Sequence, residues 1–247
     1  MRIDIVTIFP DLFGPFLELG LIGRARRDGL LEVAAHDLRD HAEDARRSVD
    51  DEPYGGGGGM VLMAPPLLRA IRSLRRPASR VALLSPQGRP LSDAVAQELA
   101  TREHLVLVCG RYEGVDERVR QLEVDEELSI GDYVLSGGEV AAMVVVEAIS
   151  RQIPGVVGLA DSVINDSFRS GLLDHPHYTR PLEVDGLEVP EVLRSGNHAA
   201  IAAWRREQAE EATRRKRPDL LEPRSAGPET SEVEPSGLER SGRSEDN

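Results

Sequence analysis

Little in this chain marks it for an oxidising compartment, a membrane or a nucleotide-dependent fold. A single cysteine, Cys109, excludes an internal disulfide and most cysteine-rich metal sites. No apolar run approaches the roughly 20 residues that cross a bilayer. The opening stretch Met1-Arg2-Ile3-Asp4-Ile5-Val6-Thr7-Ile8-Phe9-Pro10 alternates and meets its proline too early for a secretory signal. The only lysine is Lys216, so the Gly-Lys-Ser/Thr ending of a phosphate loop is missing, and no G-x-G-x-x-G opens a helix directly after a strand. These absences predict a cytoplasmic protein without membrane association.

What is present is a globular balance: 247 residues, 40% hydrophobic and 30% charged, enough for one large domain or two modest ones. The net charge of −13, from 30 basic and 43 acidic residues, argues against a surface coated in basic groups. It leaves room for a local nucleic-acid patch. Arginine supplies all the cations but one, and its planar fork suits phosphates and guanine edges, although coding bias produces the same composition.

Apolar runs at 3–9, 31–36, 81–84 and 105–109 read as strands. Segments 65–74 and 92–101 read as helices, the second with Val95 and Leu99 four apart. Short buried strands separated by helices predict an α/β domain with a mainly parallel sheet. Such sheets take ligands outside the carboxyl ends of their strands, which here carry Ser85-Pro86-Gln87-Gly88 and Gly110-Arg111-Tyr112-Glu113-Gly114. A third loop, 129–139, leads into a helix from Val140 to about Arg151, stopped by Pro154. The polar, irregular stretch between Gly158 and Thr179 reads as a linker. A second helical unit starts with Asn197 as N-cap and runs through Trp204 to Arg217, ahead of Pro218. From Glu222 onward the chain is too poor in aliphatic residues to offset its ordering entropy and is predicted to be disordered.

Taken singly, the polar residues say little. The five glycines at 55–59 suit a flexible loop, or a backbone that passes close to a ligand or another chain. Cys109 ends an apolar strand and reads as a small buried hydrophobe. His175 and His177 flank Pro176 and, with no carboxylate or cysteine counted beside them, make a weak metal case. Asp50-Asp51-Glu52 reads as a solvated acidic turn. Asp166 reads as turn chemistry, and Arg151 as a cation at a helix C-terminus.

Together, several long and chemically unusual segments carry more. They are Ile8-Phe9-Pro10, Val49-Asp50-Asp51-Glu52-Pro53-Tyr54-Gly55-Gly56-Gly57, Leu84-Ser85-Pro86-Gln87-Gly88, Val108-Cys109-Gly110-Arg111-Tyr112-Glu113-Gly114, the loop 129–139, Asp166-Ser167-Phe168, His177-Tyr178-Thr179-Arg180-Pro181 and Leu193-Arg194-Ser195-Gly196-Asn197-His198. In this order, over residues 1 to about 220, the chain resembles the bacterial tRNA (guanine-N1)-methyltransferases, members of the SPOUT knotted methyltransferases. The resemblance implies a deep trefoil knot, where patterning alone leads to an ordinary doubly wound sheet. It also implies a homodimer with active sites shared between chains. The organisation it implies is a knotted S-adenosylmethionine-binding catalytic domain at 1–158, an interdomain linker at 159–179, a helical tRNA-binding domain at 180–221 and a tail at 222–247.

The implied reaction is methyl transfer from S-adenosylmethionine to N1 of guanosine 37 in tRNA carrying guanosine at positions 36 and 37. Mg2+ is a further requirement that the resemblance brings with it, without a metal site. Carried over residue by residue, Leu84, Ser85, Pro86, Gly110, Tyr112, Glu113, Gly114, Ile130, Gly131, Tyr133, Leu135, Gly137 and Gly138 line the cofactor pocket. A side chain at Gly110, Gly131, Gly137 or Gly138 would intrude between backbone and cofactor. Asp166 matches the general base, since neutral guanine holds a proton on N1 that must leave. Arg151 matches the cation near O6, where charge develops. Arg205, Arg214 and Arg215 belong to a cluster of six cations in thirteen residues, 205–217, that would grip tRNA; a solvated helix face is the alternative. Rival readings are a knotted methyltransferase acting on ribose 2′-hydroxyls or ribosomal RNA, and a non-catalytic RNA-binding adaptor.

Overall fold

The computed structural model describes residues 1–158 and 166–222. Contacts divide the chain into two compact units, Met1–Ser170 and a second from Gly171 onward. Most of the tail that the sequence marks as disordered, and linker residues 159–165, lie outside the described residues. Among the described residues no helix is long and apolar enough to cross a membrane.

In chain order the first unit runs β1 (Arg2–Thr7), α1 (Gly14–Glu18), α2 (Gly20–Arg27), β2 (Glu32–Asp37), β3 (Asp50–Asp51), β4 (Val61–Leu62), α3 (Ala64–Leu74), β5 (Ser79–Pro90), α4 (Asp93–Ala100), β6 (His104–Cys109), α5 (Glu117–Glu123), β7 (Glu126–Ser129) and α6 (Glu139–Ser150). The main sheet has the order β2-β1-β6-β5-β7, and every pair in it is parallel. The mainly parallel α/β sheet expected from the sequence is therefore present.

Alternation of side chains between faces divides these strands between two cores. Ile3 and Ile5 of β1, Ala82 and Leu84 of β5, and Leu105, Leu107 and Cys109 of β6 enter one core, which α1, α2, α4 and α6 cover. Val6, Val81, Leu83, Val106 and Val108 enter the other, beneath α3 and α5. Burial on both faces is why these strands read as unbroken apolar runs. Each fully buried Leu or Val contributes roughly 1.5–3 kcal/mol, so the centre of the sheet is a rigid platform for the loops at its end.

One polar network sits inside this platform. Asp4 is 1% exposed and takes hydrogen bonds from Arg2 Nε at 2.7 Å, with His36 Nε2 and His104 Nε2 each at 2.8 Å. Burial works to raise its pKa, but these partners outweigh burial and hold the carboxyl well below the usual range.

Helices α1, α2 and α5 and the short strands β3 and β4 are not among the expected elements, and two further departures bear on the site. The loop expected at 85–88 is spanned by β5, whose register against β7 shifts between Leu84 and Arg89. Edge strand β7 has no apolar run to announce it: Glu126 pairs with Arg80 at 3.0 Å and Glu127 with Arg120, the charged edge that discourages further pairing.

The second unit holds the antiparallel pair β8 (Glu183–Val184) and β9 (Leu187–Glu188), then α7 (Glu191–Arg194) and α8 (His198–Lys216). As expected, Asn197 caps α8, its side chain accepting from Ala200 N at 3.2 Å. Thr213 is the buried residue of α8; its Oγ1 accepts from Leu173 N at 2.8 Å, tying the start of this unit to its long helix.

Candidate functional site

The irregularity within β5 and the carboxyl ends of β6 and β7 open into one cavity of about 230 Å3. Every residue that the resemblance assigns to the cofactor lines it: Leu84, Ser85 and Pro86 from the β5 irregularity, Gly110, Tyr112, Glu113 and Gly114 after β6, and Ile130, Gly131, Tyr133, Leu135, Gly137 and Gly138 after β7. Gln87, Arg111, Arg120, Val134 and Ser136 also line it. They lie within or beside the same segments, and Arg120 reaches Gln87 Oε1 at 2.9 Å from α5.

The loops are locked to one another where they cross. Gly138 N donates to Gly110 O at 2.9 Å, and Arg111 bridges Gly137 in antiparallel fashion. A Cβ on Gly138 would lie 2.7 Å from Cys109 Cα, so the crossing itself demands glycine. At Gly137 and Gly138 a Cβ would already meet the chain's own Arg111 and Cys109, whereas a Cβ at Gly110 meets nothing closer than 3.7 Å. The glycine run has one similar position, Gly59, where a Cβ would collide with the Glu113 side chain at 2.3 Å, while residues 55–58 meet open space.

Beneath the crossing lies a charge that sequence reasoning missed. Glu139, first residue of α6 and 1% exposed, accepts from Thr7 Oγ1 at 2.8 Å and Arg111 Nε at 3.0 Å. The Arg111 guanidinium in turn lies 4.6 Å from the centroid of the Phe9 ring. A carboxylate at a helix N-terminus is favoured by the dipole, and here it joins β1, the loop after β6 and α6. Burial, followed by the charge of Glu139, pushes the Cys109 thiol up, which keeps it an inert part of the core, as expected.

Arg151 caps the C-terminus of α6 and donates through Nη2 to the Asp166 carboxylate. Both side chains are about two-fifths exposed, at 41% and 44%. The turn that follows is tied back by Arg169, which donates to Gln152 Oε1 and approaches Asp93 at 3.5 Å. Neither Asp166 nor Arg151 lines the cavity of its own chain.

A model of the family described as tRNA (guanine-1)-methyltransferase TrmD matches residues 1–223. The chain belongs to this family. It is 50% identical over 234 residues to a tRNA (guanine-N(1)-)-methyltransferase of Dictyoglomus turgidum, covering 94% of this chain and 95% of the relative. It is 54% identical over 224 residues to the one of Geobacter sulfurreducens, covering 90% and 91%. The one of Neisseria meningitidis is 52% identical over 236 residues, covering 94% and 95%. Membership makes the chain an enzyme, a methyltransferase of the tRNA (guanine-N1) type.

In the second unit of this family member, the three arginines singled out from sequence do not form one contact. Arg205 lines a separate cavity with His175 and His177, Arg214 pairs with Glu211, and Arg215 is exposed near the end of α8. The histidine pair does have a carboxylate, contrary to the sequence reading: the preceding residue, Asp174, touches both rings, at 2.7 Å for His175 and 2.8 Å for His177. Burial lowers the pKa of His175 against the pull of Asp174. Burial works to raise Asp174, but the His177 hydrogen bond and the His175 backbone N–H leave it lowered.

Proposed function

We propose that this chain transfers the methyl group of S-adenosylmethionine to N1 of guanosine 37 in cytoplasmic tRNA that carries guanosine at positions 36 and 37. The observation that carries this reading is the cavity that gathers three segments separated in the chain, one within β5 and one after each of β6 and β7. Its walls suit that cofactor: glycines at 110, 114, 131, 137 and 138 and the apolar side chains Leu84, Ile130 and Leu135. When bound, S-adenosylmethionine supplies an electrophilic methyl carbon.

The protein's own part is proton and charge management. Asp166 takes the N1 proton, freeing the nitrogen lone pair. Arg151, already donating to Asp166, orients the carboxylate and offers its remaining N–H groups to the charge developing on O6. Because neither residue lines its own chain's cavity, this chemistry calls for a homodimer in which each site takes residues from both chains. Val140 and Val144, one turn apart on α6 and 57% and 41% exposed, supply an apolar patch for that association. In this reading the catalytic region at 1–158 is trefoil-knotted, with the loops after β6 and β7 held together by Gly138 N donating to Gly110 O, and is joined through 159–179 to a tRNA-binding region at 180–221. Arg205, Arg214 and Arg215 contact tRNA phosphates there. Mg2+ is given no step: among the described residues, the one group of three acidic or imidazole side chains whose ligand atoms all lie within 4.8 Å of one another is Asp174, His175 and His177, and Mg2+ favours oxygen ligands.

Transfer of tritiated methyl groups into unmodified tRNA with guanosine at 36 and 37, followed by nucleoside mapping, tests the reading. The expected product is 1-methylguanosine at position 37. Label on a ribose 2′-oxygen, or cofactor binding without transfer, overturns it in favour of a different knotted methyltransferase or a silent adaptor.

A further inference from the structure

The cluster Asp174, His175 and His177 has no part in the chemistry above, yet it has the composition and geometry of a coordination site. We propose that these three side chains bind a divalent cation of the Zn2+ class, with a fourth position left open. The ligand atoms, one from each residue, all lie within 4.8 Å of one another. Asp174 offers a separate carboxylate oxygen to each ring, Oδ1 to His175 Nδ1 and Oδ2 to His177 Nε2. The two imidazoles lie 4.6 Å apart at a tilt of 46°, so their nitrogens converge on the carboxylate.

Pro176 between them restricts the backbone and limits how far the rings can separate. A tetrahedral site with bonds of about 2.0–2.2 Å holds its donors roughly 3.3–3.6 Å apart, so a cation is accommodated by side-chain rotation. Each ring must present a lone pair, with its proton on the other nitrogen or released, and the hydrogen bonds to Asp174 give way to metal bonds.

The donor set decides the class of ion. Two imidazoles and one carboxylate match the three-ligand zinc sites that keep an open position, whereas Mg2+ and Ca2+ favour oxygen alone. Both histidines line a cavity of about 220 Å3 with Tyr178, Leu193 and Arg205. That cavity has room for the open position, and Arg205 favours water or an anionic oxygen there. The site does not depend on the methyl-transfer reading, and its test does not use that activity.

Tag-free full-length chain, stripped with chelator, is titrated with Co2+ by visible absorption and with Zn2+ by calorimetry. One saturable equivalent per chain is expected, with affinity reduced about 10-fold or more in His177→Gln and in Asp174→Asn. Imidazole 15N spectra of the unsubstituted chain provide a readout that does not rely on a variant folding. Of the six histidines, His175 and His177 should shift with Zn2+, and His36, His41, His104 and His198 should not. No saturable binding, equal binding in the variants, or shifts confined to the other histidines overturns the site, leaving Asp174 as a hydrogen-bond partner only.

Discussion

Asp4 and Asp166 are carboxylates with opposite tasks, and their surroundings separate them. Asp4 is buried among Arg2, His36 and His104, and its depressed pKa means that the folded chain holds this proton less tightly than the unfolded chain. The stability it contributes is therefore complete above the unfolded aspartate pKa of about 3.9 and is lost as pH falls through the lower folded value. Asp4→Asn should cost about 3–5 kcal/mol at neutral pH by leaving buried donors unpaired, and the gap from the parent should narrow below about pH 4. Denaturant unfolding at pH 7 and pH 3 measures both. Asp166 is partly exposed beside one guanidinium, where a substrate can reach it. Asp166→Asn is expected to lower single-turnover methyl transfer by about 100-fold or more. Its affinity for S-adenosylmethionine should stay unchanged, because in the proposed mechanism Asp166 meets the guanine N1 proton rather than the cofactor. A normal rate removes it from the mechanism.

Loops and helices carry the next level of constraint. The crossing of the segments after β6 and before α6 is packed backbone to backbone, so Gly138→Ala drives a Cβ toward Cys109 Cα. Overpacking of this kind costs about 1–3 kcal/mol. Because the displaced loop is a cavity wall, cofactor affinity should fall along with thermal stability, which calorimetric titration and melting detect together. On α8, the ion pairs of Arg206 with Glu210 and Arg214 with Glu211 are exposed and worth roughly 0.2–1 kcal/mol each, little barrier to exchange for phosphate. Replacing Arg214 and Arg215 with alanine should weaken tRNA binding and reduce the magnitude of the log–log salt slope by about 1 for each phosphate left without its arginine. An unchanged slope means that this end of α8 does not touch the backbone of tRNA.

Assembly links these elements. The N-terminus of α6 sits at the cavity, with Glu139 anchored below it, while Val140 and Val144 face outward on the same helix. If each site takes Asp166 from a second chain, loss of association and loss of activity must coincide. Val140→Asp should give a monomer by sedimentation velocity, with methyl transfer reduced to background. A fully active monomer refutes the shared site.

Much of this was readable in one dimension. The central strands announced themselves because both their faces are buried, and α8 because Asn197 at one end and Pro218 beyond the other are local signals. The cavity loops were readable as segments, aided by the tendency of parallel sheets to bind ligands at their carboxyl ends. The strand order β2-β1-β6-β5-β7, the charged edge β7 and the burial of Glu139 were not. Each depends on a partner or a backbone trajectory that neighbouring residues do not specify: Glu126 looks like surface until Arg80 arrives, and Glu139 until Thr7 and Arg111 do. Periodicity and caps are properties of adjacent residues and so are written in the chain, whereas pairing energies between distant charges exist only once the sheet has brought them together.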